Sequence, residues 1–286
     1  MTRELFPQWV ECDLVIYATP LYHYTVNAEM KAFIERTLPA VSPFFERKDE
    51  KTFHPMRYKP PKGVVLSVAG FPEDSAFDQL SSYVNFLFKK GLVAEIYRPA
   101  AESMMARPFR DKRIDILNAT TQAGRELVES NGVSPKTMAR IKQRVADPQE
   151  LAQVGSLMWK ACIAEGLTPR ELYRKGIVPR PDSIETFMGI LKMGFNPESA
   201  GDTRSILQFT FSGEVSGSCY FAIQNGTIEA ASGTAEKPDL SVEAPFDVWM
   251  DIVTGKADGQ EMFMRGQYKA VGDKALLMRM GRLFGR

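Results

Sequence analysis

The segment Asp13–Thr37 constrains the fold of this chain most, because an uninterrupted apolar strand precedes an amphipathic helix there. Residues 14–18 contain no polar alternation, as expected for a parallel strand that is covered on both faces. After a short polar loop, apolar side chains recur at helical spacing from Val26 to Ile34. In an open α/β sheet such a loop lies at the carboxyl end of a strand, where ligands bind. The segment therefore predicts an α/β domain with a binding loop near residue 20.

The same strand–helix pattern repeats downstream. Gly63–Ala69 is a second apolar strand, a helix is predicted from about Ala76, and Leu92–Tyr97 is a third strand. Strands that alternate with helices require crossover connections, which predict a parallel sheet. The side chains that this helix is expected to bury are Phe77, Leu80, Val84, Leu87 and Phe88.

A polar, aromatic insertion at 39–61 separates the first two strands of this pattern. It is too long for a plain connector, and such loops are often lids or dimer contacts.

Three further helices are predicted before residue 175. One covers Arg110–Asn131, and two more begin at Asp147 and Thr168, where proline follows a capping residue. The periodicity of the first helix turns four positions inward: Ile114, Leu117, Ala123 or Gly124, and Leu127.

The pattern changes after a proline-bearing linker at Lys175–Pro181, and we place a domain boundary near residue 178. Beyond it, strands follow strands directly, and the pair Asn225-Gly226 is a strong signal for a β-hairpin. Helices return from Pro245 to the C-terminus. The chain is therefore predicted to hold two domains, an α/β domain at 1–177 and an α+β domain at 178–286.

Composition excludes several classes of protein. The 36 lysines and arginines nearly balance the 35 aspartates and glutamates, which leaves no electrostatic case for a nucleic-acid partner. No apolar stretch approaches the roughly 18 residues that a membrane span requires. The three cysteines are far apart and indicate neither a disulfide framework nor a zinc site. They are expected to be reduced thiols of a cytoplasmic protein.

The first half resembles the flavodoxin-like NAD(P)H-dependent FMN reductases, in particular their iron–sulfur-flavoprotein-type relatives. The resemblance covers about residues 5–165 and rests on the segments Thr19–His23, Asn27–Arg36 and Gly70–Glu73. In that family the two corresponding loops hold the FMN ring. The resemblance implies this role for eight residues: Pro20, Leu21, Tyr22, His23, Asn27, Gly70, Phe71 and Pro72. Backbone amides and aromatic edges at strand ends suit a flat amphipathic ring.

One part of the family pattern is missing. The phosphate of FMN is held by a Ser/Gly/Arg-rich turn upstream of the matching strand, and nothing before Asp13 supplies it. By resemblance, the strand at Asp13 would be the third of five, so its edge would be exposed, which is an aggregation liability. Three arrangements are open: a longer protein of which this chain is a part, a partner such as a second copy, or Met1–Cys12 folded over the edge. We favour the first.

Residues from about 184 to 286 resemble a sterol-carrier-protein-type lipid-binding domain, which encloses an apolar tunnel between its sheet and its helices. The resemblance rests on Leu207–Gly213, the hairpin with Gly226, Pro238–Val242, Val253–Ala257 and, most specifically, Phe263–Asp273. Unbranched methionines suit variable apolar ligands. The predicted cavity residues are Phe209, Phe211, Phe221, Trp249, Met262, Phe263 and Met278. The alternative, favoured residue for residue, is that these side chains fill an ordinary core.

Together these resemblances predict an FMN-dependent NAD(P)H oxidoreductase coupled to a domain that binds a hydrophobic, lipid-like ligand. The flavin would carry the hydride chemistry, so we assign no acid or base to a side chain. The alternative is a non-catalytic lipid carrier with a flavodoxin-like scaffold. Four arginines are candidates for a nicotinamide phosphate, although a solvated face is the favoured interpretation for them: Arg98, Arg107, Arg110 and Arg113.

Overall fold

The computed structural model describes residues 3–285, which form two compact units. The first unit extends to Met104 and includes Lys112–Val145, and the second contains Met105–Asp111 and the chain from Ala146 onward. This division does not coincide with the domain boundary expected near residue 178, which stays a prediction. Within residues 3–285, no helix is both long and apolar enough to cross a bilayer.

The first part of the chain contains five strands and five α-helices among the described residues. The strands are β1 (Leu14–Pro20), β2 (Glu46–Lys48), β3 (Lys51–Phe53), β4 (Lys62–Val68) and β5 (Leu92–Arg98). The helices are α1 (Leu5–Glu11), α2 (Ala28–Glu35), α3 (Asp78–Phe88), α4 (Arg110–Ser130) and α5 (Pro135–Ile141). Strands β1, β4 and β5 form a parallel sheet in the order β1-β4-β5, and β2 and β3 pair as a hairpin inside the insertion. The predicted α/β fold class, with a parallel sheet and helices, is thus confirmed.

Apolar side chains cover this sheet on both faces, which explains the uninterrupted apolar strands. On one face Tyr17 and Val65 belong to a cluster with Leu80 of α3. On the other face the cluster of Val64 and Ile96 includes residues of α4 and α5.

Three of the predicted inward positions on the helices are wrong. Leu87 of α3 is 39% exposed, while neighbouring Phe88 packs on the core. Ile114 and Leu117 of α4 are exposed as well, because α4 turns a different stripe, which includes Ile116, toward the sheet.

Strand β1 is an edge of the sheet, because in the described part of the chain its only partner strand is β4. Helix α1 packs beside it, with the indole Nε1 of Trp9 donating a hydrogen bond of 2.9 Å to the phenol oxygen of Tyr17. Residues 5–11 are therefore helical and add no strand at this edge, while Met1 and Thr2 lie outside the described residues. Coverage of the edge by a second copy stays a prediction.

The second unit pairs a mostly antiparallel sheet with helices. Its strands are β6 (Arg204–Ser212), β7 (Gly217–Gln224), β8 (Thr227–Ser232), β9 (Leu240–Pro245) and β10 (Lys269–Gly272), in the order β10-β9-β6-β7-β8. Its helices are α6 (Pro148–Glu165), α7 (Pro169–Arg174), α8 (Ile184–Gly194), α9 (Pro197–Ala200), α10 (Phe246–Thr254), α11 (Gly259–Met264) and α12 (Lys274–Leu283). The predicted α+β class is confirmed, including the hairpin at Asn225-Gly226, where both residues have positive φ.

The core of the second unit is built from alternating strand residues and amphipathic helices. Phe209 and Phe221 on neighbouring strands are fully buried, and Phe187 of α8 meets both rings edge to face. Such aromatic pairs contribute about 0.5–1.5 kcal/mol beyond the area that they bury. Trp249 of α10 and Leu276 of α12 extend the same cluster, so the helices are fixed on one face of the sheet.

Candidate functional site: a helix-lined cavity and a loop cluster

A cavity of about 470 Å³ lies among four helices of the second unit. This volume falls within the roughly 300–1,000 Å³ that is typical of small-molecule sites. Helices α8, α10, α11 and α12 supply its walls, together with residues from their connections. The lining side chains and glycines are Val178, Ile190, Leu191, Gly194, Trp249, Ile252, Val253, Asp258, Gly259, Gln260, Phe263, Tyr268, Lys274, Leu277, Met278, Met280, Gly281 and Phe284.

The amphipathic helices explain why a cavity forms here. In α8, Phe187 faces the core, whereas Ile190 and Gly194 line the cavity. In α10, Trp249 contributes to both the core and the wall. In both helices the apolar stripe is wider than the surface that packs on the core. The apolar side chains outside that contact line the cavity.

The lining residues differ in their burial. Leu191, Trp249 and Tyr268 are almost inaccessible, with at most 6% of their surface exposed. In contrast, Met278 is 69% exposed, and the charged residues of the lining are exposed as well. The lining therefore combines buried apolar residues with exposed polar and methionine side chains, as ligand sites often do.

Two buried residues of the lining carry polar groups. The hydroxyl of Tyr268 donates a hydrogen bond of 3.0 Å to the carbonyl of Gly259, and burial, with a smaller effect of Asp258, raises the pKa of Tyr268. The indole Nε1–H of Trp249 has no acceptor within the described residues. A buried donor without a partner costs about 1–3 kcal/mol in the free energy of unfolding.

The structure brings only part of the predicted cavity set to the cavity. Trp249, Phe263 and Met278 line it. The other predicted residues do not: three phenylalanines are core side chains and Met262 packs against the core, namely Phe209, Phe211, Phe221 and Met262. The expected position between sheet and helices is also not what is found, since the walls are helical and no residue of β6–β10 lines the cavity. A role of all these residues in ligand binding stays a prediction.

Sequence reasoning missed most of the wall. Ile190, Val253, Tyr268 and Leu277 line the cavity but were not predicted to do so. Helical spacing was the available signal: Trp249 and Val253, or Leu277 and Gly281, are four residues apart on one helix face. The prediction instead chose bulky aromatic residues, and three of these lie on the strands.

A second candidate site lies at the carboxyl ends of β1 and β4, where the two loops predicted to hold FMN meet. The amide of Leu21 donates to the carbonyl of Val68, and the rings of Tyr24 and Phe71 stack at a centroid distance of 5.8 Å. Both rings are about half exposed, and Tyr22 is 61% exposed. The structure thus places exposed aromatic faces together at the edge where α/β sheets bind ligands.

The first of these loops has an unusual backbone. His23 and Tyr24 both have positive φ, and Tyr22 and Thr25 exchange two backbone hydrogen bonds of 3.1 Å across them. Such a tight turn normally carries glycine or asparagine, so these side chains are held in a disfavoured conformation. Strained turns of this kind cluster at ligand sites.

The remaining predicted cofactor residues have local structural roles. The Asn27 side chain caps α2 by accepting the amide of Met30 at 3.0 Å, and the Asn27 amide donates to Thr19. Leu21 is buried, whereas Tyr22, like the two residues after it, is exposed. Gly70 and Pro72 flank Phe71, whose carbonyl accepts the amide of Ala100.

Binding of FMN by these loops stays a prediction, and the residues present suit only its ring. Exposed aromatic faces are available for the flat ring, but a phosphate requires several free backbone amides, typically at a helix N-terminus that follows a strand. On the free edge of β1 the described residues provide no such strand and helix. The ring would be held by the residues around Tyr22 and Phe71, and the phosphate would lack a cradle, so we derive no reaction step at this site.

Among the arginines considered for a nicotinamide phosphate, Arg98 is not on a solvated face. It is 5% exposed and donates hydrogen bonds of 2.8 Å to the carbonyls of Pro99, Ile141 and Gln143. Burial lowers its pKa. These hydrogen bonds connect the end of β5 to the C-terminal end of α5 and the residues after it.

Arg110, another of these arginines, forms a salt bridge with Glu198.

Fold and cavity together define an α+β domain with an internal apolar site. Residues 196–285 match the model of the SCP-2 sterol transfer family. The match begins at the residue that caps α9 and ends just after α12, so it includes the whole sheet and three of the four cavity helices. This part of the chain is therefore an SCP2-type domain. No curated protein sequence matches the chain.

Solved structures resemble part of the chain at low identity. Sterol carrier protein 2 from Yarrowia lipolytica, in its apo form, is 17% identical, with 36% of this chain and 92% of that one covered and a TM-score of 0.30. Palmitated SCP2L2 from Aedes aegypti is 18% identical over 36% and 96% of the two chains, with a TM-score of 0.30.

A sulfatase structure is also similar over part of the chain. The sec-alkylsulfatase Pisa1 from Pseudomonas sp. is 20% identical over 35% of this chain, with a TM-score of 0.33, and this chain covers only 16% of the length of Pisa1. All three TM-scores are below 0.5.

Proposed function

We propose that this protein binds an apolar small molecule in the cavity of its SCP2-type domain. The cavity of about 470 Å³ is the observation that carries the proposal. Its lining includes apolar residues such as Leu191 and Ile190, and its volume suits a lipid-sized molecule. Burial of an apolar ligand there gains about 25 cal/mol per Å² of apolar surface that leaves water, before the costs of association are subtracted.

The distribution of polar groups supports the same proposal. Asp258, Gln260 and Lys274 lie at exposed positions of the lining. The inner wall contains no charged side chain among the described residues. Ligand sites usually combine a mainly apolar wall with a few polar groups, which orient the ligand. The match of residues 196–285 to a sterol transfer family also supports an apolar, lipid-like ligand.

Ligand binding by the full-length chain tests this proposal. We expect native mass spectrometry to detect a co-purified lipid and a fluorescent fatty acid to bind with saturation. The variant Val253→Trp places a large side chain in the cavity wall and should weaken binding by about tenfold or more. Val128→Trp is the matched control, because Val128 is 84% exposed on α4 and should leave binding unchanged. A wild-type chain that binds neither natural lipid nor the fluorescent probe would contradict the proposal.

We infer a second candidate function, FMN-dependent NAD(P)H oxidoreduction coupled to this lipid-binding domain. The convergence of the two predicted loops, with the stacked rings of Tyr24 and Phe71, supports a site for a flat ring. The visible absorbance spectrum of the purified chain, with FMN in excess, tests it. A bound yellow flavin that Phe71→Ala weakens is the expected result, with Phe86→Ala, an exposed residue of α3, as the control.

A protein that stays colourless under those conditions would overturn the flavin proposal. The alternative would then hold: a lipid-binding protein in which the flavodoxin-like half is a scaffold. The two proposals are independent in this design, because the absorbance of FMN reports on the loops of the first unit and the fatty acid reports on the cavity of the second.

A further inference from the structure

Part of the cavity wall comes from a segment that precedes the region matched by the family model. Residues 175–182, the connector, join α7 to α8, and Val178 of the connector lines the cavity. The family match begins only at residue 196. The connector is therefore a portion of the wall that this chain supplies from outside its matched domain.

The backbone of the connector is held by few hydrogen bonds. Its two prolines have no amide hydrogen, and the amides of Val178 and Arg180 have no acceptor in the part of the chain that the structure describes. The amides on either side are bonded, because Ile177 donates to a carbonyl of α7 and Asp182 donates to a hydroxyl of α8. Between these two points the position of the connector depends on its side chains.

One of these side chains ties the connector to a helix that lines the cavity. Arg180 Nη1 is 3.0 Å from Asp251 Oδ1 on α10, and Arg180 Nη2 is 3.6 Å from Glu214 Oε2. The Arg180 side chain is 33% exposed, so water and salt screen these ion pairs only in part. Asp251 directly precedes Ile252 and Val253, which line the cavity. The ion pair therefore joins the connector to α10 beside the ligand site.

We propose that the connector acts as a strap across the cavity, and that the ion pair of Arg180 with Asp251 holds it closed and sets the rate at which a ligand enters and leaves. This inference rests on the proposed lipid-binding function and adds a regulation of the same site. Movement of residues 178–181 breaks no backbone hydrogen bond, so the contacts of Arg180 and the packing of Val178 are what oppose opening. Arg180 does not line the cavity and is a positioning residue.

Ligand exchange by the full-length chain tests the inference. A pyrene-labelled fatty acid is bound to and displaced from the wild type, Arg180→Gln and Asp251→Asn, and stopped-flow fluorescence gives the association and dissociation rate constants. We expect both constants to rise by about twofold to fivefold in either variant, the effect of losing one partly exposed ion pair. The dissociation constant should change by less than either rate constant, because an open strap eases entry and exit alike.

A distant ion pair provides the matched control. Arg140 and Asp115 pair in the first unit with side-chain exposures similar to those of Arg180 and Asp251, so Arg140→Gln should have the rate constants of the wild type. At about 1 M NaCl, where the Debye length is about 3 Å, the wild type and this control should approach the rates of Arg180→Gln. Combining Arg180→Gln with Asp251→Asn should add little, because both changes remove the same ion pair.

The possible results separate gating from support of the wall. A rise in the dissociation rate constant alone would mean that Arg180 supports the wall without controlling passage, and unchanged rate constants in folded Arg180→Gln would mean that the ion pair does not hold the connector. Either result overturns the inference while ligand binding stands. A wild type that does not bind the fatty acid would reject the proposed function, and this inference with it.

Discussion

Lys192 of α8 and Glu150 of α6 form a salt bridge in which Nζ and Oε2 are 2.6 Å apart, and both side chains are largely shielded from water. Beside this pair, Gly189 lies so close to Val154 that a Cβ at position 189 would be 2.5 Å from Val154 Cγ2. Helix α6 therefore packs on a helix that lines the cavity, which explains why the chain from Ala146 belongs to the second unit.

The contact between α6 and α8 should be sensitive to one methyl group. Gly189→Ala forces Val154 to move, and overpacking of this kind costs about 1–3 kcal/mol in the free energy of unfolding. Gly155→Ala in α6 is the matched control, because no atom lies within 4 Å of its added Cβ. That control should be neutral or stabilising by about 0.5–1 kcal/mol, since alanine is the better helix former. Urea denaturation of both variants measures the two free energies of unfolding. Equal values for Gly189→Ala and Gly155→Ala would contradict this packing.

The local signals in the sequence predicted most elements correctly. Proline after Asp147 and the sequence from Thr168 to Glu171 marked two helix starts, and both caps are formed, by Asp147 Oδ1 and by the reciprocal bonds of Thr168 and Glu171. The pair Asn225-Gly226 likewise fixed the hairpin and its register. These signals succeed because the interactions that produce them lie within a few residues of each other.

The sequence predicted less well which element packs against a given face of a helix or strand. In α4 the predicted inward residues Ile114 and Leu117 are 44% and 55% exposed, whereas Ile116 and Ala119 are buried. The helix has two apolar stripes, and periodicity cannot choose between them. The same limit applies to the predicted cavity residues: alternation along β6 shows that Phe209 is buried, but not whether a helix or a ligand lies against it.

A buried glutamine should be important for the sheet of the second unit. Gln208 is 5% exposed, and its Nε2 donates to the carbonyls of Phe209 and Cys219 while its Oε1 accepts the amide of Ala235 at 2.8 Å. Gln208→Leu removes these hydrogen bonds, including the one that accepts the Ala235 amide, and should lower the free energy of unfolding by about 1–3 kcal/mol. Gln224→Leu, at an exposed position of β7, should change it by less than about 0.5 kcal/mol. Thermal denaturation of the two variants is the measurement, and a stable Gln208→Leu would refute this role.

The buried thiol of Cys219 should make the stability of the protein depend on pH in the alkaline range. Burial, with a smaller effect of Glu185, raises the pKa of Cys219 from 9.0 to about 12, so the folded state holds this proton more tightly than the unfolded state. The associated stability is complete below pH 9 and is lost as the pH rises toward 12. Cys219→Ala should remove this part of the alkaline slope.

Alkylation followed by mass spectrometry checks the same assignment at neutral pH. Iodoacetamide should modify the partly exposed Cys12 first and reach the buried Cys162 and Cys219 only after unfolding. Burial also raises the pKa of Cys12, so even this reaction should be slower than that of a free thiol. Fast modification of Cys219 in the folded protein would show that its strand is accessible.

The turn that leads into the last cavity helix should tolerate only glycine. Gly272 has φ of 108°, and a Cβ there would lie 2.2 Å from the carbonyl oxygen of Asp239, which also accepts the amide of Asp273. Asp273 in turn caps α12 by accepting the amide of Leu276. Gly272→Ala therefore displaces β10 from β9 and weakens the start of α12, and it should destabilise the domain by more than about 3 kcal/mol.

Gly233→Ala is the control that measures the effect of backbone strain without a steric clash like that between Gly272→Ala and Asp239. Gly233 also has a positive φ, 98°, but no atom lies within 4 Å of its added Cβ, so only the strain of about 1–2 kcal/mol applies. Because α12 supplies Leu277 and Met278 to the cavity wall, Gly272→Ala should also weaken binding of the fluorescent fatty acid under conditions where Gly233→Ala binds normally. Equal loss of stability and of binding in the two variants would mean that the contact with Asp239 does not hold this helix in place.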